Sequence, residues 1–184
     1  MKIIILGAGQ VGRTLAENLA NDANDVTMVD QDAGYLKDLQ DRLDIRTVKG
    51  HACLPNILAS AGAEDADMLV AVTNSDEINM VACQIAKTMF QTPTIISRIR
   101  EHQYLLKRDA LFRDEPRAFP IDVIISPEKL VTAHVQRLIE NPTALQVLDF
   151  AKGKVQLVAV TACHGGPLVG KPVSDLRSHM PNVD

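Results

Sequence analysis

Apolar runs of strand length alternate with segments of helical periodicity along most of this chain. Lys2–Leu6 is apolar after its first residue, as in a strand buried on both faces. Val11–Asn21 sets Val11, Leu15, Ala16 and Leu19 on one helical stripe. Val26–Asp30 reads as a second strand, Tyr35–Arg42 as a short helix, and Ile45–Val48 as a third strand ended by Gly50. Leu54–Ala61 is helical, with Gly62 as a C-terminal stop. Met68–Val72 is a fourth strand, Glu77–Phe90 a helix, Thr94–Ser97 a fifth strand and Val123–Ser126 a sixth. Asn74, with Glu77 three positions on, has the form of a capping box. Repeated βα units of this length predict an α/β fold, a doubly wound parallel sheet with helices on both faces and right-handed crossovers.

Other segments depart from the alternation. The stretch from His102 to Ile121, with its charged runs Lys107-Arg-Asp and Phe112-Arg-Asp-Glu-Pro-Arg, reads as a solvated helix and loop. Pro127–Glu140 is then a clean helix, with Ser126 as N-cap and Glu128 suited to the positive end. Its stripe of Leu130, Val131, Val135, Leu138 and Ile139 is interrupted by His134 and stopped at Asn141-Pro142. Gln156–Thr161 reads as one strand without a partner, Gly165-Gly-Pro167 as a turn, and Ser174–Leu176 as a helix start. A single hairpin-sized piece cannot close its own core. Residues 151–184 are therefore expected to open a second domain, in a chain that is a fragment.

Composition narrows the function. At 184 residues, the chain has room for one good-sized domain and an appendage. A net charge of −4 gives no electrostatic reason to expect nucleic acid or an anionic membrane surface. Apolar stretches stay at strand length, short of a membrane span, and the first residues have no signal-peptide core. Cys53, Cys83 and Cys163 are far apart and form no CxxC or Cys/His cluster, so the expectation is reduced cytoplasmic thiols packed as small apolar groups and no metal.

Gly7-Ala8-Gly9-Gln10-Val11-Gly12 is a GxGxxG between a buried strand and a helix, the context that gives this common motif meaning. Gly7 allows a tight turn, Gly9 lets backbone approach a pyrophosphate, and Gly12 allows close helix–sheet contact. The helix start then offers N–H groups and a positive dipole to phosphate. Asp30 ends the second strand 18 residues after Gly12, near the spacing of about 20 at which a carboxylate accepts ribose hydroxyls. Its charge disfavours a 2′-phosphate, so NAD is favoured over NADP. Asp32 reads as a solvated turn residue. Thr73 and Asn74 end the fourth strand, where they can bond a second ribose or a phosphate, while Asn74 can equally cap the next helix. Arg98 and Arg100 follow the fifth strand, as a phosphate clamp or as surface ion pairs.

Five histidines, at 51, 102, 134, 164 and 179, show no triad or metal spacing, and His134 reads as an interface or core residue. With no acid–base set and little chain for a substrate domain, an NAD-dependent oxidoreductase is the alternative and a non-enzymatic binder the leading reading.

The chain resembles the RCK or KTN domain family, which regulates potassium conductance. The segments that carry the likeness are MKIIILGAGQVG at 1–12, VTMVD at 26–30, ILASAGAEDADMLVAVTNSDEINM at 57–80, ISRIR at 96–100, IDVIISPEKLV at 121–131 and RLIENPTALQVLDFA at 137–151. LVGKPVSDL at 168–176 is similar to the opening of the family's C-terminal subdomain. The resemblance implies a Rossmann-type domain over 1–126, a crossover and dimerisation helix with linker over 127–151, and a partial C-terminal subdomain over 152–184. It implies that the Gly7–Gly12 turn holds the pyrophosphate of NAD or NADH, and that Asp30 holds the adenosine ribose. Thr73, Asn74 and Arg98 would contact the rest, and ADP or ATP are further ligands. His51 stands near the adenine, where many relatives carry an aspartate. The resemblance also implies a cytoplasmic regulator that is peripheral on the inner membrane and gates a membrane-embedded potassium-transport subunit of the TrkH or TrkG kind. The regulator would be a homo-oligomer through the 127–140 helix.

Overall fold

The computed structural model describes residues 1–22, 24–112, 118–140, 144–150, 154–161, 164–165, 169–170 and 172. The expected stop at Asn141-Pro142, the charged run after Phe112, and the helix start at Ser174–Leu176 lie outside the described residues, as do Cys163 and most of the Gly165-Gly-Pro167 turn. Two compact units divide the chain, Met1–Pro127 and Glu128–Asp184.

The first unit is a six-stranded sheet in which every described pairing is parallel. Its elements run β1 (Lys2–Leu6), α1 (Gln10–Asn21), β2 (Asp25–Asp30), α2 (Ala33–Arg42), β3 (Arg46–Lys49) and α3 (Pro55–Ser60). After a 3-10 turn at Ala63–Asp65 come β4 (Met68–Ala71), α4 (Asp76–Phe90), β5 (Thr94–Arg98), α5 (His102–Leu106), α6 (Arg108–Leu111) and β6 (Val123–Ile125). The strand order β3-β2-β1-β4-β5-β6 reverses direction at β1, so the carboxyl ends of β1 and β4 flank a switch-point crevice.

Alternation along the central strands splits the core between the two sheet faces. Ile4, Leu6, Leu69, Ala71 and Ile95 pack with Leu58 of α3 and Ala82, Cys83 and Ala86 of α4. Ile3, Ile5, Val26, Met28 and Val70 pack with Ala16 of α1 and Leu36 and Leu39 of α2. Burial on both faces is why these strands read as continuous apolar runs.

Three local expectations are corrected. Asp32 is the N-cap of α2, accepting from the Gly34 N–H at 2.7 Å and the Tyr35 N–H at 3.2 Å, and the helix begins at Ala33. Ser75, not Asn74, caps α4: its hydroxyl accepts from the Ile78 N–H at 3.3 Å and donates to Glu77 at 2.7 Å. The 102–121 stretch is more than a solvated loop. Phe112 and Ile121 are buried in the core, and the Phe112 and Phe119 rings stand 6.5 Å apart where a parallel bridge joins the two residues.

The second unit contains α7 (Pro127–Glu140) from its second residue on, and a hairpin of β7 (Ala144–Phe150) and β8 (Val155–Val160). The strand β8 is therefore not unpaired: it runs antiparallel to β7, with Phe150 opposite Val155 and Val147 opposite Val158. The strand β7 falls within the expected linker, and its sequence Ala-Leu-Gln-Val-Leu-Asp-Phe lacks clean alternation. Gly153 between two apolar runs was the available hairpin signal.

The tightest backbone approach lies where α1 meets the turn after β1. Gly7 has φ +103°, and a Cβ on Gly12 would sit 1.9 Å from the Gly7 carbonyl oxygen. Gly9 has no neighbour within 4 Å of such a position. Gly12→Ala is expected to destabilise the domain by about 1–3 kcal/mol, the usual range for overpacking. Gly9→Ala should stay within about 0.5 kcal/mol of wild type. Urea midpoints at unchanged slope provide the check.

Candidate functional site

At the carboxyl ends of β1, β2, β4 and β5 lies a cleft of about 360 Å³. The glycine turn forms its floor. Gly9 takes the N-cap of α1 in extended conformation and offers no side chain, so the first turn of the helix, with Gln10 and Val11, opens on the cleft. Asp30 fixes the turn from β2. One carboxylate oxygen accepts from the Ala8 N–H at 2.6 Å and the other from the Asp32 N–H at 2.8 Å, while the Asp30 carbonyl accepts from the Gly50 N–H at 2.9 Å. Lone pairs remain on that carboxylate for donors in the cleft.

At this end the sequence missed two residues. Tyr35 lines the cleft, and the Arg13 guanidinium lies 4.2 Å from its ring centroid while its Nε donates to the Ala8 carbonyl at 2.8 Å. Their signal was an arginine in the first turn of α1 and an aromatic in the first turn of α2, neither of which belongs to the glycine motif.

Thr73, Asn74 and Arg98 line the side formed by β4 and β5, with Ile78 of α4, and the Thr73 backbone abuts Gly7. Thr73 and Arg98 are half-buried and Asn74 is exposed. Arg100 settles as an ion-pair residue. Its Nη2 donates to the Asn74 carbonyl, and its Nε stands 3.8 Å from the buried Asp76 carboxylate. The other Asp76 oxygen accepts from the Arg100 and Glu101 N–H groups at 2.8 and 2.7 Å, and Tyr104 donates to Glu77 at 3.1 Å. The Glu77 carboxyl is held below its ordinary value first by the Ser75 hydroxyl, then by backbone and Tyr104 hydrogen bonds.

Of the expected set, Gly7, Gly9, Gln10, Val11, Asp30, Thr73, Asn74 and Arg98 line the cleft. Ala8 is buried and serves through its backbone, and Gly12 packs beneath the turn against Gly7. His51 follows the lining residue Gly50 but does not line the cleft itself; its Nδ1 lies 3.1 Å from the Cys53 sulfur. Among the described residues no group of His, Cys, Asp and Glu is arranged to hold a metal ion.

A parallel sheet reversing at β1, with a glycine turn and a β2 carboxylate at the switch point, defines a Rossmann-type domain. A family model described as the TrkA-N domain matches residues 3–127, and the chain belongs to that family. The Trk system potassium uptake protein TrkA of Halomonas elongata is 62% identical over 184 residues, covering 100% of this chain and 40% of that protein. Its counterpart of the same name in Vibrio alginolyticus is 59% identical over the same shares. The chain thus spans about 40% of the length of these relatives. A solved structure described as the GsuK channel bound to NAD matches with a TM-score of 0.65 at 20% identity, over 98% of this chain and 31% of that one, which shows a shared fold.

The described cysteines behave as packing groups. Cys83, fully buried between α4 and the sheet, has its thiol pushed up to about 12 from an ordinary 9.0, first by burial and against a smaller opposing effect of the Ser97 hydroxyl. Native Cys83 should resist iodoacetamide at pH 8 while the half-buried Cys53 reacts, as peptide mapping of labelled protein would read. Because the raised value belongs to the folded state, its share of stability is whole below pH 9.0 and is lost as pH rises from there toward about 12.

Proposed function

We propose that this chain is the nucleotide-sensing part of a cytoplasmic regulator that gates a potassium channel or a Trk-type potassium transporter. The observation that carries this reading is the switch-point cleft, with the glycine turn and Asp30 at one end and Thr73 and Arg98 at the other, in a member of the TrkA-N family. In this reading the Gly7–Gly12 turn holds the pyrophosphate of NAD or NADH and Asp30 accepts from the adenosine ribose. Thr73, Asn74 and Arg98 hold the remainder, and His51 stands beyond Gly50 on the adenine side. The ligand acts as a signal, since only unequal affinity for two states of the regulator can bias a partner. The partner is a membrane-embedded potassium-transport subunit of the TrkH or TrkG kind, which makes the regulator peripheral on the inner face of the membrane. Among the described residues no helix is long and apolar enough to cross a membrane. Residues 152–184 belong to the C-terminal subdomain.

Isothermal calorimetry with NAD, NADH, NADP, ADP and ATP tests the site. NAD or NADH should bind, and NADP should bind more weakly because its 2′-phosphate meets the Asp30 charge. Asp30→Ala should weaken NAD binding by about 1–3 kcal/mol, the loss of a charge-assisted acceptor. Unchanged affinity in a folded variant removes Asp30 from the site. Steady oxidation of NADH with a carbonyl substrate would favour the oxidoreductase alternative instead.

The same reading makes α7 a dimerisation helix. Val131, Val135 and Ile139 on it are 62%, 47% and 73% exposed, and Leu138 is half-buried; the side chains of Leu130 and His134 lie outside the described set. A two-fold contact buries one such stripe against its copy. Sedimentation should show dimers, and joint replacement of Val135 and Leu138 by charged residues should give monomers that still bind nucleotide. A wild-type chain that stays monomeric at high micromolar concentration rules the interface out.

A further inference from the structure

We propose that Asn79 positions the far end of the cleft and thereby sets its preference for a dinucleotide over a mononucleotide. The inference rests on the nucleotide-binding reading above and goes beyond it, because Asn79 does not line the cleft. It lies in the first turns of α4 and is 0% exposed, a polar side chain entirely inside the protein. Its hydrogen bonds explain that burial. Asn79 Oδ1 accepts from the Thr73 N–H at 3.0 Å and from the Thr73 hydroxyl at 2.6 Å, and its Nδ2 donates to the Arg98 carbonyl at 3.0 Å.

These contacts extend the sheet. The described β4–β5 ladder ends at the pair Ala71–Ser97. Thr73 and Arg98 lie beyond it, and the Asn79 amide joins them as the next rung would, with one acceptor and one donor. A carboxylate at this site has no donor for Arg98, and an aliphatic side chain has neither function. Nearby, Asp76 ties the start of α4 to the backbone of Arg100 and Glu101. The two strand ends that present Thr73 and Arg98 are thus set relative to each other by a side chain that does not itself line the cleft.

The near end has its own hydrogen bonds, although the Gly7 backbone packs directly against Thr73. Asp30 binds Ala8, Asp32 and Gly50, and Arg13 binds Ala8, with no residue of α4 in that set. A mononucleotide held by the glycine turn and Asp30 needs only the near end, whereas the second nucleoside of a dinucleotide must reach Thr73 and Arg98. Asn79 therefore acts on one half of the ligand.

The test is calorimetry with NAD and with AMP on the wild-type chain, Asn79→Leu and Asn79→Asp. In Asn79→Leu, NAD affinity should fall by about tenfold or more, the weight of one or two net hydrogen bonds. AMP affinity should fall by less than NAD affinity, because the glycine turn and Asp30 keep all of their own hydrogen bonds in the variant. Asn79→Asp keeps the acceptor for Thr73 and loses the donor for Arg98, so it should fall between. Equal losses for both ligands, or an NAD-to-AMP ratio that residue 79 does not alter, overturns the positioning role. Should neither variant fold, the side-chain amide resonances of Asn79 in the wild-type chain decide: NAD should shift them and AMP should not, and absence of an NAD-specific shift overturns the proposal. A wild-type chain that binds neither ligand defeats the nucleotide reading itself; one that binds both with no dependence on residue 79 defeats only this inference.

Discussion

The near half of the cleft depends on one carboxylate. Asp30 ends β2 beside the turn that ends β1, and its two oxygens take the N–H groups of Ala8 and Asp32. Those donors leave the ends of neighbouring strands, where the ladder no longer satisfies them, and a charged acceptor bonds them more strongly than a neutral one. Through its own carbonyl, Asp30 also reaches Gly50 after β3. Three successive strand ends are thereby held at one residue, and the glycine turn becomes a fixed floor rather than a loose loop.

That floor has a matching steric requirement. The Gly7 carbonyl and Gly12 come so close that no side chain fits between them, so α1 starts hard against the sheet and directs its N-terminal turn at the cleft. Helix dipole, free N–H groups and the Asp30 carboxylate then stand together without any of them being a catalytic group. Such an arrangement suits an anionic ligand, since partial positive charge and hydrogen-bond donors face one open cleft.

At the other end the same physical demand, satisfying backbone at strand ends, is met from a helix. Asn79 and Asp76 reach from α4 to Thr73, Arg98, Arg100 and Glu101, and Ser75 caps the helix from which both project. Buried polar groups are kept only where they are bonded, and each of these two bonds backbone at or just beyond the ends of β4 and β5. The two sides of the cleft thus draw on different hydrogen bonds, and they meet through the β1–β4 pairing and where Gly7 packs against Thr73.

The sequence by itself determined the alternation of strands and helices, the parallel sheet, the glycine turn and Asp30, because these are local patterns: burial on both faces writes continuous apolar runs, and a tight turn before a helix demands glycine at set spacings. It also carried Thr73 and Arg98, through their places at strand ends. What depends on partners far along the chain becomes visible in the folded chain alone. Asn79 reads as one polar residue in a helix until β5 is laid beside β4, and Arg100 chooses between clamp and ion pair only when Asp76 is beside it. Phe112 and Ile121 look like parts of a charged loop until the core closes over them. All of these take their free energy from contacts between elements distant in the chain, which no window of neighbouring residues contains.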